Sequence, residues 1–145
     1  MAHLSNVKYG SGDWRNNKTD AVAVGIYEDL KMSRQIQGVN RELGRGISNA
    51  LSANLLKGKI GEVKIIIGKK GNLAFVFGLG KVGNLIPETL RKAAAGVSKL
   101  CISNSVSSIS FLIPLMAFAG FSPLGQALVQ FIIVRHRYNL KASFI

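Results

Sequence analysis

The residues that could carry chemistry in this sequence are basic residues and glycines, whereas carboxylates and nucleophiles are few. Nineteen of the 145 residues are Lys or Arg and seven are Asp or Glu, so the formal net charge is +12. The seven carboxylates are scattered, and none has the spacing of an acid pair or of metal ligands on one helix face. The two histidines and the single Cys101 do not form the cluster that a zinc site needs. The sequence therefore predicts no catalytic residue, no metal site and no cofactor.

The basic residues suit a polyanionic partner such as RNA or DNA, and the alternative is a solvated charged surface without a partner. No carboxylate follows Glu88 in the sequence. Near the end of the chain, basic residues alternate with aromatic ones, which suits phosphate contact combined with stacking on bases. Convergence of the lysines from the middle of the chain on one surface would favour binding. The candidate nucleic-acid-binding residues are Lys57, Lys59, Lys64, Lys69, Lys70, Lys81, Arg135, His136, Arg137, Tyr138 and Lys141.

Gly78, Gly80 and Gly83 match the G-x-G-x-x-G pattern of dinucleotide sites and follow a predicted strand. In such a site the turn lets backbone N–H groups reach a pyrophosphate at the start of a helix. Here the next helix is predicted to begin several residues later, near Pro87, and no acid follows about 20 residues on to hold a ribose. The pattern favours a glycine-rich turn, and the three glycines are weak candidates for cofactor binding.

Hydrophobic spacing predicts the elements that must position these residues. Short apolar runs predict strands, and a 3–4 spacing of apolar residues predicts helices. Ser33 is the expected N-cap of the first helix and Gly58 its stop. The predicted order is strand 21–27, helix 33–56, strands 62–68 and 72–77 as a hairpin, a helix from Pro87 through Leu100, strand 106–115 and helix 122–137. This order indicates an α/β domain in which helices cover a mixed sheet.

The chain is predicted to consist of a polar N-terminal arm, residues 1–20, and one domain, residues 21–145. The arm lacks the apolar segment of a signal peptide. Residues 100–134 are all uncharged, but their densest apolar part, 109–121, has 13 residues and contains Pro114 and Gly120. A spanning helix needs about 20. We therefore expect two buried core elements rather than a membrane span, and a cytoplasmic location, with the mitochondrial matrix as the alternative.

Five stretches of the sequence resemble, in the same order, motifs of the N-terminal domain of leucyl (cytosol) aminopeptidases. They correspond to that domain's first strand, a glycine-lysine turn ending in glutamate, a strand ending in Gly-Leu-Gly-Lys, an Arg/Ala-rich helix and the closing helix. The resemblance covers residues 21–141, nearly the whole chain. The five stretches are Val24–Asp29, Lys57–Glu62, Phe75–Lys81, Leu90–Gly96, and Gln126–Gln130 with Tyr138, Asn139 and Lys141.

The resemblance implies a macro-domain-like, three-layer α/β/α fold with a mixed β-sheet. It also implies that this chain is not an enzyme by itself, because the two-metal peptidase chemistry of that family lies in a larger C-terminal domain. Two stretches depart from the family pattern. Gln130-Phe131 replaces Glu-Gly, and Arg135-His136-Arg137 is more basic than the family stretch.

Three functions follow as hypotheses. The first is a non-catalytic, basic binding or structural component of a larger assembly, contacting ribosomal RNA or DNA and protein subunits. Some aminopeptidases of the resembled family also act as DNA-binding regulators. The second is an accessory domain or fragment of a metal-dependent leucyl aminopeptidase whose catalytic domain is absent from this chain. The third is nucleotide binding at the Gly78–Gly83 turn.

Overall fold

The computed structural model describes residues 8–9, 19–29, 32–112 and 141–144. Its six strands form one sheet in the order β1-β6-β5-β2-β4-β3. All neighbouring strands are parallel except β3, which is antiparallel to β4. The strands are β1 (Lys8–Tyr9), β2 (Ala21–Ile26), β3 (Val63–Ile67), β4 (Leu73–Gly78), β5 (Ser108–Leu112) and β6 (Lys141–Phe144).

Helices cover both faces of the central strands, which explains why these strands are apolar at nearly every position. Successive residues of a strand point to opposite faces. Ala23 and Phe75 accordingly lie in one core cluster with α3 (Pro87–Ser103). Val24 and Val76 lie in a second cluster, with α1 (Arg34–Glu42) and α2 (Gly46–Ser52). The predicted three-layer α/β/α arrangement with a mixed sheet is confirmed.

The single helix predicted for residues 33–56 is wrong, because the chain forms two helices there. Gly44 and Arg45 both adopt left-handed backbone conformations, each with φ of 65°, and a helix cannot continue through them. The side chain of Asn40 stabilises the break, since its Oδ1 accepts hydrogen bonds from the N–H groups of Ile47 at 3.0 Å and Ser48 at 3.1 Å. Asn40 thus supplies an acceptor to the first turn of α2.

The two ends predicted for that helix have different outcomes. Ser33 is the N-cap of α1, as expected, and its Oγ accepts a hydrogen bond from the N–H of Ile36 at 3.3 Å. Gly58 is not the stop, because α2 ends at Ser52 and Asn54 already has a left-handed φ of 56°.

The other described elements agree with the sequence. The predicted hairpin forms from β3 and β4, and α3 begins with Pro87 in its first turn. Helix α3 buries the expected apolar face, including Leu90, Ala93 and Val97. The predicted strand 106–115 is confirmed as β5, and its last residues lie outside the described part of the chain, as does helix 122–137.

The predicted arm contains β1, which pairs with β6 at one edge of the sheet. The domain boundary at residue 20 stays a prediction. Within the described ranges, no helix is both long and apolar enough to cross a bilayer.

Candidate functional site

Three of the predicted nucleic-acid-binding lysines lie at the carboxyl end of β2 and β4. Lys57 and Lys59 lie in the turn that leads into β3, and Lys81 follows β4. Backbone contacts join these segments, because the N–H of Gly80 donates to the carbonyl of Gly58 at 2.8 Å. All three lysine side chains are exposed. We call Lys57, Lys59 and Lys81 the carboxyl-end lysines.

Lys69 and Lys70 lie at the opposite end of the sheet, in the turn between β3 and β4, and we call them the hairpin lysines. The six residues of β4 separate the two sets, a distance of about 17 Å at roughly 3.3 Å per residue. Lys64 lies between them on β3. The structure therefore places the middle lysines in two groups at opposite ends of the sheet, with Lys64 between them, and their convergence on one surface stays a prediction.

The backbone of the α1–α2 break, which includes Arg45, lies beside the hairpin lysine Lys69, and the sequence reasoning missed this neighbour. The aliphatic stem of Lys69 passes about 3.5 Å from where a Cβ on Gly44 would lie, next to Arg45. The carbonyl of Arg41 accepts a hydrogen bond from the N–H of Gly44 at 3.1 Å. The α1–α2 break brings this group together, so a single predicted helix could not reveal it. The available signal was the Gly44-Arg45-Gly46 sequence.

The glycines of the carboxyl end are required by close contacts between backbone segments. A Cβ on Gly78 would collide with the carbonyl oxygen of Lys59. Gly58 has φ of 81°, and a Cβ there would lie 2.8 Å from the carbonyl carbon of Tyr27. Two chain segments therefore cross at van der Waals distance, and only glycine permits the crossing at both positions.

Glu62 closes the turn that carries Lys57 and Lys59. Its carboxylate accepts hydrogen bonds from three successive N–H groups, those of Lys57 at 2.9 Å, Gly58 at 2.7 Å and Lys59 at 3.2 Å. Successive N–H groups that converge in this way form a concavity suited to an anion. Here the chain's own carboxylate occupies it.

Asp20 and Asp29 also accept hydrogen bonds from backbone N–H groups of other segments of the chain. Asp29 accepts a hydrogen bond from the N–H of Val82 at 3.0 Å. Asp20 accepts bonds from the Oγ of Ser107 at 2.7 Å and from its N–H at 3.0 Å, which join the start of β2 to the start of β5. The bonds from Ser107 hold the pKa of the Asp20 carboxyl below its usual value.

The contacts of the Gly78–Gly83 turn differ from the geometry of a dinucleotide site. Gly78 contacts Lys59, and a Cβ on Gly80 would lie 2.8 Å from the side chain of Ile60, whereas a Cβ on Gly83 would meet open space. A 3-10 turn, Val82–Asn84, contains Gly83 and separates Gly78 and Gly80 from α3. The first two glycines are thus explained by packing, and cofactor binding by the three stays a prediction.

A cleft of about 580 Å³ lies where β2 ends, between its following loop and the α1–α2 layer. It has room for a small ligand, but the acids Glu28 and Asp29 and one base, Lys57, line it. Adjacent carboxylates repel phosphate, so the cleft suits a neutral or cationic group better than a nucleotide. It is lined by Ile26, Tyr27, Glu28, Asp29, Met32, Gln37, Leu51 and Lys57.

The described residues contain no group of three or more His, Cys, Asp or Glu side chains that could hold a metal ion. Cys101 is buried in α3, and burial raises the pKa of its thiol to about 12, so the thiol is protonated at neutral pH. It therefore offers no nucleophile to a substrate.

The C-terminal candidates fall mostly outside the description. Arg135, His136, Arg137 and Tyr138 lie outside the described residues, and Lys141 is described only as the first residue of β6. Their predicted contact with nucleic acid stays a prediction.

Comparison with known proteins supports the sequence-based assignment. Residues 23–127 match the model of the cytosol aminopeptidase family, N-terminal domain. A tomato leucine aminopeptidase variant superimposes with a TM-score of 0.70 at 17% identity, over 99% of this chain and 32% of that chain. The chain thus spans about a third of that enzyme. No curated protein matches this sequence.

Macrodomains superimpose equally well. The macrodomain of Mycobacterium tuberculosis DarG gives a TM-score of 0.72 at 14% identity, over 97% of both chains. A Trypanosoma brucei macrodomain in complex with ADP-ribose gives 0.68 at 18% identity, over 99% of this chain and 65% of that chain. These likenesses confirm the predicted macro-domain-like fold.

Proposed function

The chain belongs to the cytosol aminopeptidase family through its N-terminal domain, and from this premise we propose that it is a non-catalytic component of a larger assembly whose cationic surface contacts nucleic acid. The proposed nucleic acid is ribosomal RNA or DNA. The proposed location is cytoplasmic, with the mitochondrial matrix as the alternative.

One observation carries the proposal: the exposed candidate lysines of the described residues form no salt bridge. Glu62, Asp29 and Asp20 each accept hydrogen bonds from backbone N–H groups. Glu88 lies 3.5 Å from Arg91. In the part of the chain that the structure describes, neither the carboxyl-end lysines, nor the hairpin lysines, nor Lys64 form a salt bridge. The ammonium groups of these exposed side chains are therefore not engaged by a described carboxylate, which leaves them able to contact phosphate.

The separation of the two basic regions favours a long polyanion over a small ligand. The carboxyl-end and hairpin lysines are about 17 Å apart, since the length of β4 lies between them. A duplex carries one negative charge per roughly 1.7 Å of axis, so a nucleic acid is long enough to span this separation, whereas a mononucleotide is not.

The test measures affinity for a structured RNA and for duplex DNA over a range of salt concentrations. Because binding by phosphate neutralisation releases counterions, affinity should fall steeply as salt rises. Replacing Arg45, Lys69 and Lys70 together by Gln should weaken binding and reduce the slope of log affinity against log salt by about 2–3.

Arg91→Gln is the matched control, because Glu88 already lies beside this arginine. It should leave the slope nearly unchanged. Affinity that is equal at low and physiological salt would contradict the proposal, as would a triple variant that binds like the wild type.

A second function, the accessory domain of an aminopeptidase, is favoured by the superposition on the tomato enzyme, in which this chain corresponds to 32% of the longer protein. Affinity purification of the full chain from its native extract should then recover a metal-dependent peptidase whose activity a chelator abolishes. An assembly purified without such a peptidase would contradict this alternative and leave the first proposal standing.

A further inference from the structure

Among the described residues, β3 has no partner strand on the side away from β4, so it presents an open row of backbone hydrogen-bonding groups. The N–H of Gly78 donates to the carbonyl of Glu62 at 2.9 Å, and the N–H of Gly68 donates to the carbonyl of Asn72 at 2.8 Å. In an antiparallel pair, residues that exchange such bonds alternate with residues that do not. Residues 62, 64, 66 and 68 therefore face β4, and the N–H and C=O groups of residues 63, 65 and 67 point to the free edge.

The side chains of the same alternate residues make this edge apolar. Ile65 is 38% exposed and Ile67 is 70% exposed. Their cross-strand partners, Phe75 and Leu73, pack in the cluster that includes α3, so the two isoleucines lie on the α3 side of the sheet. An edge with open backbone groups, exposed isoleucines and no proline is a template for another strand.

Charge around the edge has one sign. Lys64 lies in β3, and the hairpin lysines follow it directly. A Cβ on Gly96 of α3 would lie 3.0 Å from the side chain of Val63, and Lys92 and Lys99 lie four residues before and three residues after Gly96, on the same side of α3. Residues 63–72 and 92–99 contain no acid, and the neighbouring Glu62 is bound to backbone N–H groups. The edge therefore complements an acidic partner.

We propose that the free edge of β3 binds an extended, acidic segment of a partner protein as an additional strand of the sheet. The segment hydrogen-bonds to the backbone of Val63, Ile65 and Ile67. Its apolar side chains cover the two isoleucines, and its carboxylates face Lys64 and the hairpin lysines. Main-chain bonds supply affinity in this mode, and alternate side chains supply specificity.

A second copy of this chain fits the edge less well. Pairing two β3 edges would place the lysines of one copy near those of the other, and each chain carries a net charge of +12. Like charges that face each other across strands destabilise the pair. The acidic segment is therefore the occupant that the charge favours, at an edge that shares Lys64 and the hairpin lysines with the nucleic-acid surface proposed above.

The test uses the full chain and a peptide that alternates Glu with Val, measured by calorimetry and by amide hydrogen exchange. Binding should slow exchange at the amides of Ile65 and Ile67, whereas those of Lys64 and Ile66, which already bond to β4, should change little. A peptide with alternate backbone nitrogens methylated, and one that alternates Lys with Val, should both bind at least about tenfold more weakly.

Two variants locate the contact. Ile65→Pro removes an N–H that points away from β4, so it spares the existing ladder and should weaken the peptide about tenfold or more. Ile67→Lys tests the apolar contact, because it leaves the backbone unchanged. It should also weaken binding of the peptide. Leu55→Lys is the control, because Leu55 is another exposed isolated apolar side chain, 65% exposed and outside the sheet, and this variant should bind the peptide like the wild type.

The two proposals fail separately. Absence of peptide binding at millimolar concentration, equal binding of the methylated peptide, or protection of amides away from β3 would overturn the strand-addition proposal, whatever the salt-dependent RNA titration gives. A dimer that Ile67→Lys dissociates would also overturn it, by assigning the edge to a second copy. Protection of the Ile65 and Ile67 amides by RNA instead of peptide would overturn it as well.

Discussion

Strands β3 and β4 form one hairpin from similar apolar sequences, yet they have opposite surroundings. Every residue from Ala74 through Phe77 is at most 1% exposed, whereas Ile67 on β3 is 70% exposed. Strand β4 has a neighbour on each side and helices on both faces, while β3 is the last strand of the sheet that the described residues form. The difference shows that position in the sheet, rather than apolar composition, decides whether a strand belongs to the core or to a surface.

The strongest test of this difference is a matched pair of truncations. Phe75 and Ile65 are cross-strand partners, and Phe75 is fully buried while Ile65 is 38% exposed. Phe75→Ala should lower the free energy of unfolding by about 3–5 kcal/mol, because it removes a large buried side chain and leaves a cavity. Ile65→Ala should lower it by less than about 1 kcal/mol.

Chemical denaturation of both variants measures the two values. Equal losses would show that the edge strand is covered in solution, and the contrast between β3 and β4 would then be wrong.

A second test changes Gly78, the last residue of β4, which contacts the turn that leads into β3. Gly78→Ala brings a Cβ against the carbonyl oxygen of Lys59, so one backbone segment must move. We expect a loss of about 2–3 kcal/mol in the free energy of unfolding. Gly83→Ala is the matched control in the same turn, since its Cβ would meet open space, and its effect should stay within about 0.5 kcal/mol.

Thermal denaturation separates these two glycines. If Gly83→Ala were the more damaging variant, the turn would depend on a contact at Gly83 that the described residues do not provide.

A third test removes the hydrogen bonds that hold the turn before β3 and leaves the residues of β4 unchanged. Glu62→Ala leaves the N–H groups of Lys57, Gly58 and Lys59 without their acceptor, and the expected loss is about 1–2 kcal/mol because the bonds are partly exposed to water. Glu62→Gln retains an acceptor and should lose less.

The control is Glu28→Ala, an exposed acid from the nearby loop. Its unfolding free energy should match that of the wild type. A Glu62→Ala protein as stable as Glu28→Ala would mean that water replaces the carboxylate at no cost.

The sequence predicts local elements of this fold better than it predicts tertiary placement. The hairpin, α3 and the strands β2 and β5 follow from hydrophobic period alone, since each is apolar in a pattern that one secondary structure satisfies. The α1–α2 break was missed because the apolar spacing runs through it, from Val39 across Leu43 to Ile47. Asn40 and the left-handed Gly44 and Arg45 outweigh that spacing, and these are tertiary features.

The candidate site shows the same division. Residue type marks Lys57 and Lys69 as possible phosphate contacts, and the predicted hairpin already puts a strand between them, but only the structure shows that Lys81 joins Lys57 and Lys59 at one end. The sequence also did not indicate that β3 lies at the edge of the described sheet. The segment VKIII is typical of a buried strand, and the order of the strands depends on distant parts of the chain. Strand order is a long-range property, and apolar spacing does not encode it.

The smallest expected effect is at Asp20, at the opposite end of the sheet from Glu62. The Asp20 carboxylate joins the starts of the inner strands β2 and β5, as the Glu62 carboxylate holds the turn before the edge strand β3. Asp20 accepts bonds from Ser107, and these bonds lower the pKa of its carboxyl below the ordinary 3.8. A lowered pKa in the folded state means that the ionised carboxylate stabilises the fold above pH 3.8 and that this contribution is lost as the pH falls through the folded value. Because Asp20 is exposed, solvent screening limits the contribution to less than about 1 kcal/mol.

Asp20→Asn should therefore be slightly less stable than the wild type near neutral pH, and the difference should shrink toward zero as the pH drops below 3.8. Urea denaturation of both proteins at a series of pH values measures the difference. A difference that is constant with pH would assign the effect of Asp20 to hydrogen-bond geometry rather than charge. The Asp20 carboxylate, which joins β2 to β5, would then act differently from the Glu62 carboxylate, which holds the turn before β3.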